Sequence, residues 1–331
     1  MCFTTKSSAM KISKIVYAVM ALSIMSCAKV HTVTTGEPKE IAFRDVASAH
    51  TKATDLIDIH ETMGIMACFY DTGDMYFGNT KFTYDTDDEV WTGNKYWPLG
   101  GRSLNFGAYA PYSDDIVAEF GYTGEDISTM YFTLYAPLSI DVDFLASAGI
   151  SVNQIYDSEN PVPLTLHHLL AKATVKIIAG DDDYSGLYEV TEVKFTNVSH
   201  KGTFDLDTRY VDKAAGIYDL TDKGDVVLLS APKVITATDD EDDDATIGST
   251  LIIPTDTGIG ISVTYQYKDV PNSAYTKPIS IYGEGDDEDD QRNVFHQDRH
   301  MVYVLKLFAN KIEFSASVID FDSETVDGLS N

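Results

Sequence analysis

From Leu164 to Ile178 the chain reads LTLHHLLAKATVKII, an apolar run that passes into alternation. Successive side chains of an extended chain point to opposite faces. Ala173, Val175, Ile177 and Ala179 therefore share one face, and Lys172, Thr174, Lys176 and Ile178 the other. That is the period of a half-buried strand. His167 and His168 then stand as a pair at a strand edge, with no partner at a spacing that marks a catalytic base.

Strand-like segments recur at 40–43, 63–70, 104–109, 130–135, 172–179, 188–198, 225–229, 249–253, 260–267, 278–282, 301–309 and 312–319, with Gly, Asp, Asn and Pro between them. The 20 Tyr and 15 Phe, with many Val, Ile and Thr, fit strands better than helices. Only Asp141 to Gly149, DVDFLASAG, leaves room for a helical turn or two. Short punctuated strands predict an all-β chain of antiparallel sandwiches, not a parallel sheet with crossover helices. Its length, about 300 residues once a leader is removed, predicts two domains. The boundary is placed at Glu159-Asn160-Pro161-Val162-Pro163, where two prolines should exclude regular structure. The expected partition is 27–162 and 163–331. No internal repeat is visible.

The N-terminus addresses the chain for export. Met10-Lys11-Ile12-Ser13-Lys14 is a short basic segment, and Met10 serves as well as Met1 for a start. Ile15 to Met25, IVYAVMALSIM, is an apolar core of leader length, too short to span a bilayer permanently. Ile24-Met25-Ser26-Cys27 follows as a lipobox. Residues 1–26 are therefore expected to be a lipoprotein signal peptide, with Cys27 carrying the lipid. Each buried methylene of an acyl chain contributes ~0.8 kcal/mol, so several chains make an outer-membrane anchor that releases very slowly. Cleavage would leave Cys68 alone, so one mature chain could form no internal disulfide. Within GIMACFY, Cys68 reads as a small buried hydrophobe and not as a nucleophile.

Charge excludes nucleic acid. With 24 basic and 52 acidic residues the chain carries −28, which repels phosphates and anionic lipid. Acids cluster as DDD at Asp181, DDEDDD at Asp239 and DDEDD at Asp286, and such runs are usually solvated loop tips. Asp181, Asp183, Ser185, Gly186 and Glu192 match the spacing of an EF-hand loop, but the flanks are strand-like and the reading is an acidic hairpin turn. His296 and His300 have a helical metal-binding spacing but precede a strand, so no metal is assigned. There is no Gly-x-Ser-x-Gly, phosphate loop or dinucleotide fingerprint, and neither catalytic residues nor cofactors are assigned.

Four further fragments stand in order behind the lipobox. They are Trp91 to Pro111, WTGNKYWPLGGRSLNFGAYAP; Leu251 to Pro254 with Ile261 to Tyr265; His300 to Leu305, HMVYVL; and Ile312 to Phe321, IEFSASVIDF. With the H-x-L-A-K-x-x-V pattern assigned to His167, Leu170, Ala171 and Lys172, they resemble the fimbrillins, pilin-like lipoproteins of Bacteroidota. The resemblance implies two tandem transthyretin-like antiparallel β-sandwich domains and a structural or adhesive role in fimbriae at the cell surface. It implies partners of the same kind, engaged by donor-strand exchange, and a host or bacterial surface ligand. Whether the subunit is stalk, anchor or tip stays open.

A sandwich that lacks a strand exposes unpaired backbone and an apolar groove, which another chain can fill. Similar fimbrillins lose a first strand to a trypsin-like protease and accept one from a neighbour. Here the first strand would be Glu40 to Phe43, less firmly held than the others. The cut would fall in a loop at Arg44 or at Lys52, the latter within Thr51-Lys52-Ala53-Thr54, where relatives carry Arg. The alternative is a monomeric outer-membrane lipoprotein that binds glycan through exposed Trp91, Tyr96 and Trp97, since sugars stack on flat apolar faces.

Overall fold

The computed structural model describes residues 38–45, 61–99, 101–122, 130–147, 150–152, 160–207, 217–254, 258–270, 273–281, 295, 297–308 and 311–320. Apart from Pro38, these fall in one unit, Lys39–Asn331. In chain order the strands begin with β1 (Glu40–Asp45), β2 (Thr62–Phe69), β3 (Met75–Asp85), β4 (Val90–Tyr96), β5 (Leu104–Ala110), β6 (Val117–Tyr122) and β7 (Met130–Ser139). Next come β8 (Leu145–Ser147), β9 (Ile150–Val152), β10 (Val162–Leu164), β11 (Leu166–His168), β12 (Ala171–Ala179) and β13 (Tyr188–Asp207). The last are β14 (Ile217–Leu229), β15 (Lys233–Val234), β16 (Thr246–Ile252), β17 (Gly260–Tyr267), β18 (Tyr275–Ser280), β19 (Arg299–Leu307) and β20 (Ile312–Asp320). The described helical residues are two short 3₁₀ turns, so no described helix is long and apolar enough to cross a membrane.

The strands form three sheets. Sheet A runs β10-β1-β4-β3-β2-β5-β8-β11, with β9 also on β5. Sheet B runs β18-β17-β13-β7-β6, with β14 and β15 also on β13, and sheet C runs β16-β12-β19-β20. Most pairs are antiparallel; the parallel ones are β1 with β10 and β12 with β19. The chain is all-β, as its sequence predicts. The hairpin β6–β7 precedes residue 162 yet pairs with β13, while β10 and β11 follow the expected boundary yet lie in sheet A.

Burial explains the sequence patterns. On β12, Val175 and Ile177 face the main core with Tyr303 and Leu305 of β19, opposite Val193, Phe195, Val263 and Tyr265 of sheet B. Their alternation matches the expected face. The other face of β12 and β19 is covered as well: Ile178, Val302 and Val304 pack on Ala237 and Ala245. β2 and β5 read as continuous apolar runs because both of their faces are buried. Met66 and Cys68 enter the main core, whereas Ile65 and Ala67 enter a second core with Phe43, Phe82 and Phe106. Gly64 permits this layering, since a Cβ there would come within 2.1 Å of the Tyr109 ring.

Three local expectations change. Asp141 to Ser147 is a turn followed by β8, not a helical turn, because Leu145 is buried in the second core. Val162–Leu164 is a strand despite Pro163. It ends sheet A, where a residue without an N–H is tolerated. β3 and β4 carry no clear apolar alternation. Only Phe77, Phe82, Val90 and Trp91 are buried on them, and the hairpin is held by its neighbours in sheet A.

Candidate functional site

The first described strand, β1, is an interior strand of sheet A. β1 pairs in parallel with β10 (Phe43↔Val162, Arg44↔Pro163, Asp45↔Leu164) and antiparallel with β4 (Ala42↔Thr92, Phe43↔Trp91). Its alternation sends Ile41 and Phe43 inward, both with 0% exposure. Phe43 meets Phe82 edge-to-face at 5.3 Å and Phe106 at 5.0 Å. Burying each of these side chains stabilises by ~1.5–3 kcal/mol. At the strand's start, Glu40 Oε1 accepts the Asn94 N–H at 2.7 Å and Lys39 O accepts the Trp97 N–H at 2.9 Å. β1 is thus held on both sides, contrary to the expectation of a loosely held strand. The physical reason is its interior place. Without β1, the space between β10 and β4 would be a groove floored by Phe82 and Phe106.

A second constellation lies where the chain passes from sheet A to sheet C. The His168 ring Nδ1 is 2.9 Å from the Asp143 carboxylate, and the His167 Nδ1 is 3.2 Å from Asp298 Oδ2. Asp298 Oδ1 also accepts the His168 N–H at 3.3 Å, while its own N–H donates to Leu170 O. Leu169 N–H donates to Phe144 O at 2.8 Å. Leu170 and Ala171 are fully buried, and Lys172 is half-buried. Two residues further along β12, Thr174 Oγ1 is 2.6 Å from both Ser249 Oγ and His300 Nε2. The crossover therefore ties β11 to two distant turns. Asp143 and Asp298 were not predicted from sequence, because nothing local links residues so far apart.

The Fimbrillin-like family model matches residues 48–320. This chain belongs to the fimbrillin-like family. No curated protein matches it. Among solved structures it is similar to a fimbrial protein of Bacteroides vulgatus, with 15% identity and a TM-score of 0.54 over 85% of this chain and 99% of that one. A candidate cell adhesion protein of Bacteroides ovatus gives 12% identity and a TM-score of 0.53 over 88% and 100%. One of Bacteroides uniformis gives 16% and 0.51 over 86% and 99%. At such identities these likenesses speak to the fold.

The remaining predicted residues of this fimbrillin-like chain separate. Of the adjacent histidines, His168 stands two residues before Leu170 and is buried, at 1% exposure, whereas His167 is half-buried. Arg44 lies exposed inside β1 rather than in a loop. Cys27 and Lys52 fall outside the described residues. Trp91 is only 2% exposed, packed on Tyr84 at 4.6 Å, so it offers no face to a sugar. Tyr96 is 42% exposed, and the Trp97 ring stands at 89° to Phe106. These three aromatics do not form one exposed platform, because Trp91 is buried in the second core while Tyr96 is exposed.

Cys68 is fully buried, and burial pushes its thiol up to about 12, which removes the thiolate a nucleophile needs. The Asp181 carboxylate accepts the Asp183 N–H at 3.0 Å within its own turn, and Ser185 Oγ donates to Thr236 O, tying that turn to the segment after β15. Glu192 sits on β13 beside Lys194 at 3.6 Å. The acidic run at Asp239 is more than a tip. Its carboxylates are largely exposed, but Ala237 and Ala245 on either side seal sheet C, and Lys176 Nζ donates to Asp240 O.

Proposed function

We propose that this chain is a lipid-anchored subunit of surface fimbriae, structural or adhesive, that polymerises after its first strand is removed. The single observation that carries the reading is the seat of β1: first of the described strands, interior in sheet A, with Ile41 and Phe43 fully buried. A strand near the beginning of the chain can be released by one cut on its C-terminal side, and its place can be taken by a strand from another molecule. Family membership supports a fimbrial or adhesive role rather than an enzymatic one. Cys27 carries the anchor to the outer membrane, the partners are other fimbrillin-like subunits, and the chain is built of two transthyretin-like sandwich domains, with β6–β7 and β10–β11 lying across a boundary near residue 162.

Of the two basic candidates, Lys52 is favoured as the cut. A protease binds an extended, unpaired backbone, and Arg44 is engaged within β1 opposite Pro163. Cutting at Lys52 also frees all of β1. Limited trypsin digestion of purified precursor tests this. The first cut should fall at Lys52, the truncated body should form ladders in mild detergent, and Lys52→Ala should block both. A truncated body that stays monomeric at high concentration, and that does not cap fibres of a co-expressed subunit, would reject polymerisation. The anchor is tested separately: Cys27→Ala should abolish labelling by a palmitate analogue, and equal labelling of mutant and parent would remove it.

A further inference from the structure

The pairing of β1 with β4 is irregular between Ala42↔Thr92 and Glu40↔Tyr96. Ile41 alone spans the gap on β1, whereas Gly93, Asn94 and Lys95 span it on β4. The extra residues form a bulge, and two of them suit it. Gly93 passes over Phe82, whose ring would lie 2.7 Å from an added Cβ. Asn94 has a φ of 53°, in the left-handed region that asparagine tolerates better than most side chains. A bulge turns groups out of the regular ladder and re-aims them. Here the Asn94 N–H donates to a side chain of β1, Glu40 Oε1, at 2.7 Å.

This contact differs in kind from the rest of the hold on β1. Ladder bonds, and the Trp97 N–H bond to Lys39 O, use the main chain, which any strand supplies. The burial of Ile41 and Phe43 asks for apolar residues two apart. A strand with further apolar residues at that spacing could meet this demand again after slipping by two, because such a slip keeps every side chain on its own face. Glu40 breaks the degeneracy. It shares a face with Ala42, opposite to Ile41 and Phe43, so a slip by two would bring Ala42 or Pro38 to its place. Neither has a side-chain acceptor for the Asn94 N–H.

We propose that the Gly93-Asn94 bulge makes the seat of β1 selective. It favours incoming strands of other subunits that carry an acceptor side chain of glutamate length three residues before the aromatic that meets Phe82 and Phe106. The partner that fits is a strand ordered acceptor, aliphatic, any residue, aromatic, as in Glu40-Ile41-Ala42-Phe43. The apolar pair supplies the hold, and the acceptor fixes the register and tells one apolar strand from another. This inference rests on the strand-exchange reading and adds to it the side chain that the groove reads.

Two measurements test it. In the uncut full chain, amide hydrogen exchange at Asn94 reads the contact directly. Glu40→Ala should speed that exchange by about threefold or more, and Glu40→Gln, which keeps an acceptor oxygen, should restore most of the protection. Equal exchange in all three chains would overturn the proposal and leave strand exchange untouched. In full chain nicked at Lys52, fluorescent peptides of residues 38–45 then compete with the seated β1. The parent peptide should displace it. The Glu40→Ala peptide should compete about three- to tenfold more weakly, and the Phe43→Ala peptide more weakly still. Equal competition by the parent and Glu40→Ala peptides would overturn the selectivity while upholding exchange. Failure of every peptide, the parent included, would overturn strand exchange and this proposal together.

Discussion

The first and last described strands carry the same short pattern with opposite results. β1 contains Ile41-Ala42-Phe43 and β20 contains Ile312-Glu313-Phe314. Phe43 is fully buried, whereas Phe314 is 45% exposed. Both pairs have strand spacing, so propensity does not separate them. Their neighbours do. β1 lies between β10 and β4 over a floor of Phe82 and Phe106, while β20 has a described partner on one side only. The comparison teaches that an Ile-x-Phe pair is a key whose value depends on whether the fold supplies a lock. The first described strand has one, and the last described strand presents its key outward.

The strongest way to break this contrast is to truncate both rings. Phe43→Ala should cost about 3–5 kcal/mol, because it opens a cavity among packed aromatics. Phe314→Ala should cost less than about 1 kcal/mol in the monomer, since much of the ring already meets water. Urea unfolding at low protein concentration would measure both, and equal losses would refute the assignment of core and rim. A second test sharpens the packing of sheet A. Gly64→Ala pushes a methyl into Tyr109 and should cost about 1–3 kcal/mol, with the effect relieved in a Tyr109→Leu background.

A third test uses pH. Burial raises the Cys68 thiol from 9.0 to about 12 and the Tyr109 phenol from 10.0 to about 12. Both groups are neutral when protonated, so the unfolded chain loses these protons first as pH rises. Their stabilising contribution is complete below pH 9 and falls away between pH 9 and about 12. Alkaline unfolding profiles should show this slope, and Cys68→Ala should flatten its first part. A slope unchanged in Cys68→Ala would mean the thiol titrates as freely in the fold as out of it. The smallest effect is expected at the acidic run. Glu241→Gln and Asp243→Asn should leave the melting midpoint unchanged, whereas Ala245→Asp, which places a charge under sheet C, should lower it. A fall in both cases would make the carboxylates themselves structural.

Much of the fold was legible because its strands carry their own signals. Val175 and Ile177 alternate with Lys172 and Lys176, and the segment forms a strand with the expected faces. The buried, inert Cys68 was legible from GIMACFY. The strands β3 and β4 were not, because their inward residues are few and their pairing partners supply the order. The crossover was half legible. The pair of histidines could be seen, but Asp143 and Asp298 are 25 and 131 residues away from them, and a linear pattern says nothing about such distances.

By itself the sequence determined the class of the chain, since side-chain period, turn residues and acidity are local or additive quantities. It also determined that Ile41 and Phe43 lie on one side of β1, because they must share a face in any extended chain. Only the tertiary structure decided that β1 lies inside sheet A, that Arg44 is engaged rather than in a loop, that Trp91 turns inward, and that β20 ends its sheet. The reason is that burial is a property of neighbours. A strand's pattern states which side it would hide, and the order of strands in the sheet determines whether anything is there to hide it.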